Sequence, residues 1–226
     1  MGLSSFGLIG LVIGNHLKES RNTVAYSVLI LIGLGSAGLH GTLHWFLQSA
    51  DEVPMMYLLL SIFYLCGEYD APVGKPNYPH LPQFLIFLAV ANTLLYYCFQ
   101  QLYLVFLCTF FSEAAVAIAG LHRIIYGTEG RSAIAKRINN IGVSSLFLVA
   151  LPSWLYDMLQ CKKFIGFANG NLFGMTPHIV WHFGAGFAAY CAIVCLECCR
   201  MEELKVTYKA RFIGGIFPVA KKIHLM

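Results

Sequence analysis

Residues 176–198 of the chain read TPHIVWHFGAGFAAYCAIVCLEC, an apolar stretch with two histidines, His178 and His182, near its start. A helix of this length extends roughly 34 Å at about 1.5 Å per residue, enough to cross the ~30 Å hydrocarbon core of a bilayer. Histidines four residues apart lie on the same face of such a helix. The stretch therefore predicts a membrane-spanning helix with a pair of imidazoles at one end.

The whole chain has the composition of a membrane protein. Of its 226 residues, 58% are hydrophobic and 12% are charged, and the mean hydropathy is +0.68. These values exclude an ordinary soluble domain, in which about a quarter of the residues are charged. Further apolar segments lie near residues 3–16, 23–46, 53–67, 81–99, 101–121 and 139–160. Together with 176–198 they predict an all-α, polytopic bundle of seven transmembrane helices in a single domain, residues 1–226.

The first of these segments, residues 3–16, is short. A helix of about 14 residues crosses only part of a bilayer core. It starts at Met1 without a charged region, so it does not have the pattern of a signal peptide. We expect the chain to begin inside a helix that is longer in related proteins, which gives the bundle a truncated first helix.

Lysine and arginine are distributed unequally between the two sides of the predicted bundle. One side carries 13 of the 15, whereas the other carries only Lys162 and Lys163. By the positive-inside rule the tail, roughly residues 200–226, is cytosolic and the N-terminus is lumenal or extracellular. The tail mixes basic residues with Phe212, Ile216 and other apolar residues. It is interpreted either as a segment lying against the anionic cytosolic leaflet or as a disordered tail.

Ionisable side chains inside spanning helices cost several kcal/mol on insertion scales, so each is a functional candidate. Five of them fall near the non-cytosolic ends of their helices: His40, Asp51, Asp157, His178 and His182. The second helix runs outward and has His40 near its outer end, while the third helix starts there at Asp51. The sixth helix ends there after Asp157. Their shared depth predicts one site.

The residue types at this site are those of a zinc enzyme. Three neutral imidazoles, from His40, His178 and His182, with one open position form the arrangement of catalytic zinc. Asp51 is a candidate to take a proton from bound water. Ser36 precedes His40 by one helical turn on the same face, so its hydroxyl is a candidate to donate to a developing oxyanion.

Each assignment has a plainer alternative. Asp51 and Glu52 follow Ser49 as in a capping box at a helix start. Ser36 lies in a patch of small residues, 35–38, that is typical of close helix packing.

Two further residues near the site have open interpretations. His44 follows His40 by four residues, but it lies nearer the surface and is interpreted as a solvated interface histidine. Asp157 either orients a metal ligand or faces water at its helix end.

The order and spacing of these residues resemble the alkaline ceramidases, in particular the alkaline phytoceramidase branch of a wider group of seven-helix membrane hydrolases. The matching segments are Gly33-x-Gly35-Ser36-x-x-x-His40-x-Thr42-Leu43, Asp51-Glu52-x-Pro54-Met55-x-Tyr57, Trp154-x-x-Asp157, His178-x-x-Trp181-His182 and, in the tail, Lys209-x-x-Phe212-x-x-Gly215-Ile216-x-Pro218.

The resemblance implies zinc-dependent hydrolysis of the amide bond of ceramide or phytoceramide, within the membrane, to a sphingoid base and a free fatty acid. By position it makes His40, His178 and His182 the zinc ligands, Asp51 the base and Ser36 the oxyanion stabiliser. It also implies endoplasmic reticulum or Golgi membranes, with the active site towards the lumen. The expected partners are a ceramide-type lipid and the bilayer, with no nucleic acid, and the sequence does not indicate an oligomeric state.

Members of that family carry an acidic N-terminal stretch that resembles a calcium site, with a cysteine near it. This sequence has no counterpart of either, so we expect no calcium site, and Cys161 has no visible partner. Two alternative functions stay open. One is a catalytically silent or receptor-like relative in which zinc only braces the helices, and the other is a haem-binding electron carrier that uses paired histidines.

Overall fold

The structure, a computed structural model, describes residues 2–15, 17–42, 44–99, 101–160 and 177–223. In these ranges the helices are α1 Gly2–Ile9, which continues as a π-helical turn Gly10–Gly14, α2 Ser20–Thr42, α3 Trp45–Gly67, α4 Leu81–Cys98, α5 Tyr103–Tyr126, α6 Ala133–Gln160 and α7 Pro177–Glu203. Two strands follow, β1 Tyr208–Ile213 and β2 Phe217–Lys222. Among the described helices, six are long and apolar enough to cross a membrane, and α1 is a shorter apolar helix. The predicted polytopic helical bundle is confirmed.

The helix α7 lies at the centre of the bundle. Protein buries 67% of its spanning segment, against 17–39% for the other long helices, and it contacts α1, α2, α3, α5 and α6. Tyr190 and Ile193 of α7 are fully buried with Tyr26 of α2 in the main core. Because His178 lies at the start of α7 and Arg200 near its finish, the two ends of the bundle are called the histidine end and the arginine end.

Buried ion pairs fasten the arginine end. The guanidinium of Arg200 lies 3.1 Å from the Glu19 carboxylate, and that of Arg131 lies 3.2 Å from Glu202 and 2.8 Å from Glu203. Both arginines are almost fully buried, so the loss of a partner would leave an uncompensated charge. These pairs tie the segment before α2 and the α5–α6 loop to α7.

The tail forms a hairpin, a structure that the sequence did not predict. The strands β1 and β2 pair antiparallel along their whole length, and Gly214 and Gly215 in the turn both have positive φ, which glycine adopts at no steric cost. The Tyr190 hydroxyl donates to the carbonyl oxygen of Pro218 at 2.7 Å. The interpretation of a disordered tail is therefore wrong, and contact with the leaflet stays a prediction.

The boundary between α2 and α3 differs from the predicted segments 23–46 and 53–67. The helix α2 ends at Thr42, and α3 begins at Trp45. The ring of His44 caps α3 by accepting a hydrogen bond from the backbone nitrogen of Phe46 at 3.3 Å. Asp51 thus lies two turns inside α3, not at its start, because this cap begins the helix several residues earlier than the apolar pattern suggests.

Helices α2 and α3 cross closely at Gly35. A Cβ atom at this position would lie 2.0 Å from the carbonyl oxygen of Ala50 and 2.9 Å from the backbone nitrogen of Asp51. Both are backbone atoms that cannot rotate away, so only glycine fits. The crossing brings the backbone that carries Ser36 against the backbone that carries Asp51.

Gly35→Ala is therefore expected to force the two helices apart. Overpacking costs about 1–3 kcal/mol, which lowers the melting temperature by about 5 °C for a chain of this length. Gly41→Ala is the matched control, since a Cβ atom there meets nothing within 4 Å. Melting of the purified protein in detergent checks this prediction, and equal melting temperatures for the two variants would contradict it.

Candidate metal centre

Three histidines from two helices meet at the histidine end. His40 lies in the last turn of α2, and His178 and His182 lie one turn apart at the start of α7. Pro177 occupies the first position of α7, where the missing N–H costs no hydrogen bond. The Nε2 atom of His182 lies 3.4 Å from that of His40 and 3.0 Å from that of His178. The predicted gathering of these histidines is present in the structure, whereas Thr176, the predicted cap, lies outside the described residues.

This arrangement fits a zinc ion. Nitrogen ligands at 2.0–2.1 Å from a tetrahedral zinc lie about 3.3 Å from one another, close to the two Nε2 separations. The ligand atoms of the three histidines all lie within 4.8 Å of one another, and no other such group occurs in the described parts of the chain. Three imidazoles from His40, His178 and His182 leave the fourth position of a tetrahedral ion open.

Asp157 of α6 lies beside the centre. Its Oδ2 atom is 3.3 Å from Nδ1 of His178, the ring nitrogen opposite to the one that faces the other histidines. A carboxylate at this position fixes the tautomer and orientation of a ligating imidazole. Of the two interpretations of Asp157, the contact favours the one in which it orients a ligand.

Asp51 of α3 approaches the centre from another side. Its Oδ2 atom lies 3.4 Å from Nε2 of His182, and only 2% of the residue is exposed. Its buried Oδ1 atom has no hydrogen-bond partner among the described residues, and Ser36, also buried, lies beside the same carboxyl. A buried carboxylate and a hydroxyl next to a metal position are suited to proton transfer and to hydrogen bonding with a substrate oxygen.

The capping-box alternative for Asp51 is wrong. His44, not Ser49, caps α3, and the hydroxyl of Ser49 donates to the Phe46 carbonyl at 2.7 Å. His44 itself is exposed, as expected for a histidine near the surface. The packing alternative for Ser36 coexists with the functional one, since Gly35 makes the helix contact and Ser36 faces the Asp51 carboxyl.

A polar cluster next to the centre was not predicted. Glu52 accepts hydrogen bonds from the hydroxyl of Tyr96 at 2.6 Å and from the amide of Gln48 at 3.2 Å, and the phenol of Tyr103 lies beside it. An acidic residue inside an apolar segment was the available signal. The tyrosines belong to α4 and α5, and the sequence does not reveal which helices pack against α3.

An apolar cavity of about 320 Å³ runs from the centre into the bundle. Trp181 and His182 line it near the histidine end, and Asn139, Gly142 and Ala192 line it deeper inside. The ten helical steps from residue 182 to residue 192 correspond to about 15 Å. Nearly all of its wall is apolar, so the cavity suits a hydrocarbon chain with its polar end at the histidines.

Comparisons with known proteins agree on one family. The model of the family described as Ceramidase matches residues 3–219. An alkaline ceramidase of Arabidopsis thaliana is 26% identical over 95% of this chain and 80% of its own length. Alkaline ceramidase 3 of Mus musculus is 26% identical over 88% and 74%, and the alkaline ceramidase YPC1 of Saccharomyces cerevisiae is 28% identical over 83% and 65%.

Asp157→Asn is expected to weaken zinc binding about 10–100-fold, because His178 loses the carboxylate that orients it. Zinc competition between the purified protein and a chelator of known affinity measures this effect. Glu113→Gln is the matched control, because it alters a membrane-embedded carboxyl that bonds Asn92 away from the centre. Equal zinc affinities for the two variants would show that Asp157 does not orient a metal ligand and would favour the alternative in which it faces water at its helix end.

Proposed function

The chain belongs to the ceramidase family, and from that premise we propose that it cleaves the amide bond of ceramide and phytoceramide at a zinc ion held by His40, His178 and His182. Membership of the family makes the chain a membrane hydrolase, and the proposed products are a sphingoid base and a free fatty acid. The observation that carries the proposal is the convergence of three histidine Nε2 atoms beside an apolar cavity that His182 lines.

The proposed reaction adds water to the amide carbonyl and breaks the carbon–nitrogen bond. Zinc, when bound, would polarise the carbonyl and acidify a water molecule. Asp51 would take the proton that the water loses and pass it to the departing nitrogen, a role supported by its position 3.4 Å from His182. The hydroxyl of Ser36 would donate to the carbonyl oxygen as it gains charge.

The remaining residues would position the substrate and the ligands. Asp157 would hold His178 in the tautomer that leaves Nε2 free for the metal. The apolar cavity below Trp181 would take one hydrocarbon chain of the lipid, and that chain would exclude water from the apolar side of the reacting amide. Binding energy along that chain would fix the carbonyl at the histidines.

The orientation in the membrane is also proposed. The excess of lysine and arginine on the side of the tail supports a cytosolic tail and a metal centre near the opposite, lumenal face. Endoplasmic reticulum or Golgi membranes are the proposed location, on the grounds of the resemblance alone.

The central test is turnover of ceramide and phytoceramide by the purified protein, with fatty acid release and bound zinc measured on the same sample. Asp51→Asn is expected to lower kcat about 10²–10⁴-fold, as for loss of a general base, without loss of zinc. The double variant His178→Ala, His182→Ala is expected to lose both. His122→Ala, a histidine of α5 that stacks on Tyr126 outside the centre, is the control. Turnover by the double variant would disprove the zinc hydrolase, and zinc without turnover in the unaltered protein would favour the silent relative.

The apolar cavity predicts a chain-length effect. Ile118 of α5 lines it away from the histidines, so Ile118→Trp is expected to shorten it and to lower kcat/KM for long-chain ceramides about tenfold relative to a six-carbon ceramide. Ile118→Ala, which leaves the cavity open, is the matched control. Equal losses for short and long chains with Ile118→Trp would show that the cavity does not hold the substrate chain.

A further inference from the structure

Glu52 is adjacent to Asp51 in the chain, but it belongs to a different contact network. Successive residues of a helix point about 100° apart, so Asp51 faces α7 while Glu52 faces α4 and α5. The hydroxyl of Tyr96 donates to its Oε2 atom at 2.6 Å. The amide of Gln48 donates to Oε1 at 3.2 Å and to Oε2 at 3.3 Å, and the phenol of Tyr103 lies alongside. We call these four residues the Glu52 cluster.

The Glu52 cluster opens onto the metal centre. Glu52 and Tyr103 line a small cavity of about 30 Å³ together with Asp51, His178 and His182. The same two residues line a second cavity of about 10 Å³, with Tyr96 and Gln48 in its wall. The larger cavity has room for a water-sized polar group. A group bound there would lie against both the metal ligands and the cluster.

The cluster offers mainly hydrogen-bond acceptors to that cavity. Glu52 lines this cavity, and its carboxylate already accepts from the Tyr96 hydroxyl, which lies in the wall of the smaller cavity. The remaining lone pairs of the carboxylate can only accept. Asp51, whose buried Oδ1 atom has no hydrogen-bond partner among the described residues, adds another acceptor. A ligand that fits this surface donates hydrogen bonds from hydroxyl or amine groups. The carboxylates of Glu52 and Asp51 would repel an anionic group.

On this basis we propose that the Glu52 cluster is the subsite that recognises the polar headgroup of the sphingoid base, chiefly its C1 hydroxyl. The inference rests on the proposed function and adds to it the group by which the substrate is selected. The C1 hydroxyl is three bonds from the amide nitrogen, a separation of about 3 Å at ordinary bond lengths. An amide held at the histidines therefore places that hydroxyl in the neighbouring cavity, where Glu52 accepts a hydrogen bond from it.

The subsite also accounts for the direction in which the lipid enters the centre. The headgroup donors would face Glu52 and Tyr103 in the small cavity, while a hydrocarbon chain would occupy the apolar cavity, and His182 and Trp181 line both. The scissile amide lies between the two, at the three histidines. Lipids with a phosphate on the C1 oxygen would bring an anion against Glu52 and would be excluded.

The experiment compares ceramide with 1-deoxyceramide, which carries a methyl group in place of the C1 hydroxymethyl group. Glu52→Gln keeps the size of the side chain and an acceptor for Tyr96, but it removes the charge. It is expected to lower kcat/KM for ceramide about 10–100-fold, as for loss of a hydrogen bond to a charged group. Its kcat/KM for 1-deoxyceramide is expected to stay within about twofold of the unaltered protein, with zinc content unchanged.

A second variant and a control keep the test decisive if Glu52→Gln folds poorly. Tyr103→Phe removes one hydroxyl from the cavity wall. It is expected to lower kcat/KM for ceramide but not for 1-deoxyceramide, by a smaller factor than Glu52→Gln does. Tyr97→Phe removes a hydroxyl that bonds Ser49 instead and is expected to leave both substrates unchanged. Equal losses for ceramide and 1-deoxyceramide would assign the cluster to helix packing and overturn the inference. An unaltered protein that hydrolyses neither lipid would overturn the proposed function itself.

Discussion

The contact between Gly35 of α2 and the Ala50–Asp51 backbone of α3 is the constraint on which the candidate centre depends. Lipid tails are as apolar as leucine, so helices in a bilayer gain little from burying apolar side chains and associate through close packing of small residues. This crossing sets Ser36 beside the Asp51 carboxyl and leaves His40, one turn later, free to reach α7. One backbone contact therefore fixes the relative positions of three of the proposed functional groups.

The polar groups of the bundle are concentrated at its two ends, with different consequences. At the arginine end, Arg131 and Arg200 each meet carboxylates directly, so the charges are paired and the helix ends are fastened. At the histidine end, three imidazole nitrogens face one another beside the carboxylates of Asp51 and Asp157, and one Asp51 oxygen has no hydrogen-bond partner among the described residues. Buried acceptors gathered in this way, one of them without a hydrogen-bond partner among the described residues, are costly in a membrane unless a cation lies among them. This arrangement supports the proposal that the histidine end binds a metal ion.

Much of this could be predicted from the sequence, and the limits have physical causes. The depth of His40, Asp157 and His178 follows from helix counting and the charge rule, because the bilayer orders residues along one axis. The positions of helices around that axis cannot be predicted from helix counting or the charge rule. The Glu52 cluster, which joins α3 to α4 and α5, was therefore missed. The start of α3 was placed too late because a histidine cap at His44 is not among the usual signals. The tail hairpin depends on contacts with α7 that no local pattern reveals.

The adjacent acids Asp51 and Glu52 show how one helix can serve two purposes at the same depth. Their side chains point about 100° apart, so only Asp51 lies near the histidines, while Glu52 is held by a phenol and an amide. Exchanging the two residue types would break both arrangements. A longer side chain would crowd His182 at position 51, and a shorter one would not reach Tyr96 at position 52. The order aspartate then glutamate is thus determined by distances on the two faces of α3, one towards the proposed chemistry and the other towards the proposed recognition of the substrate.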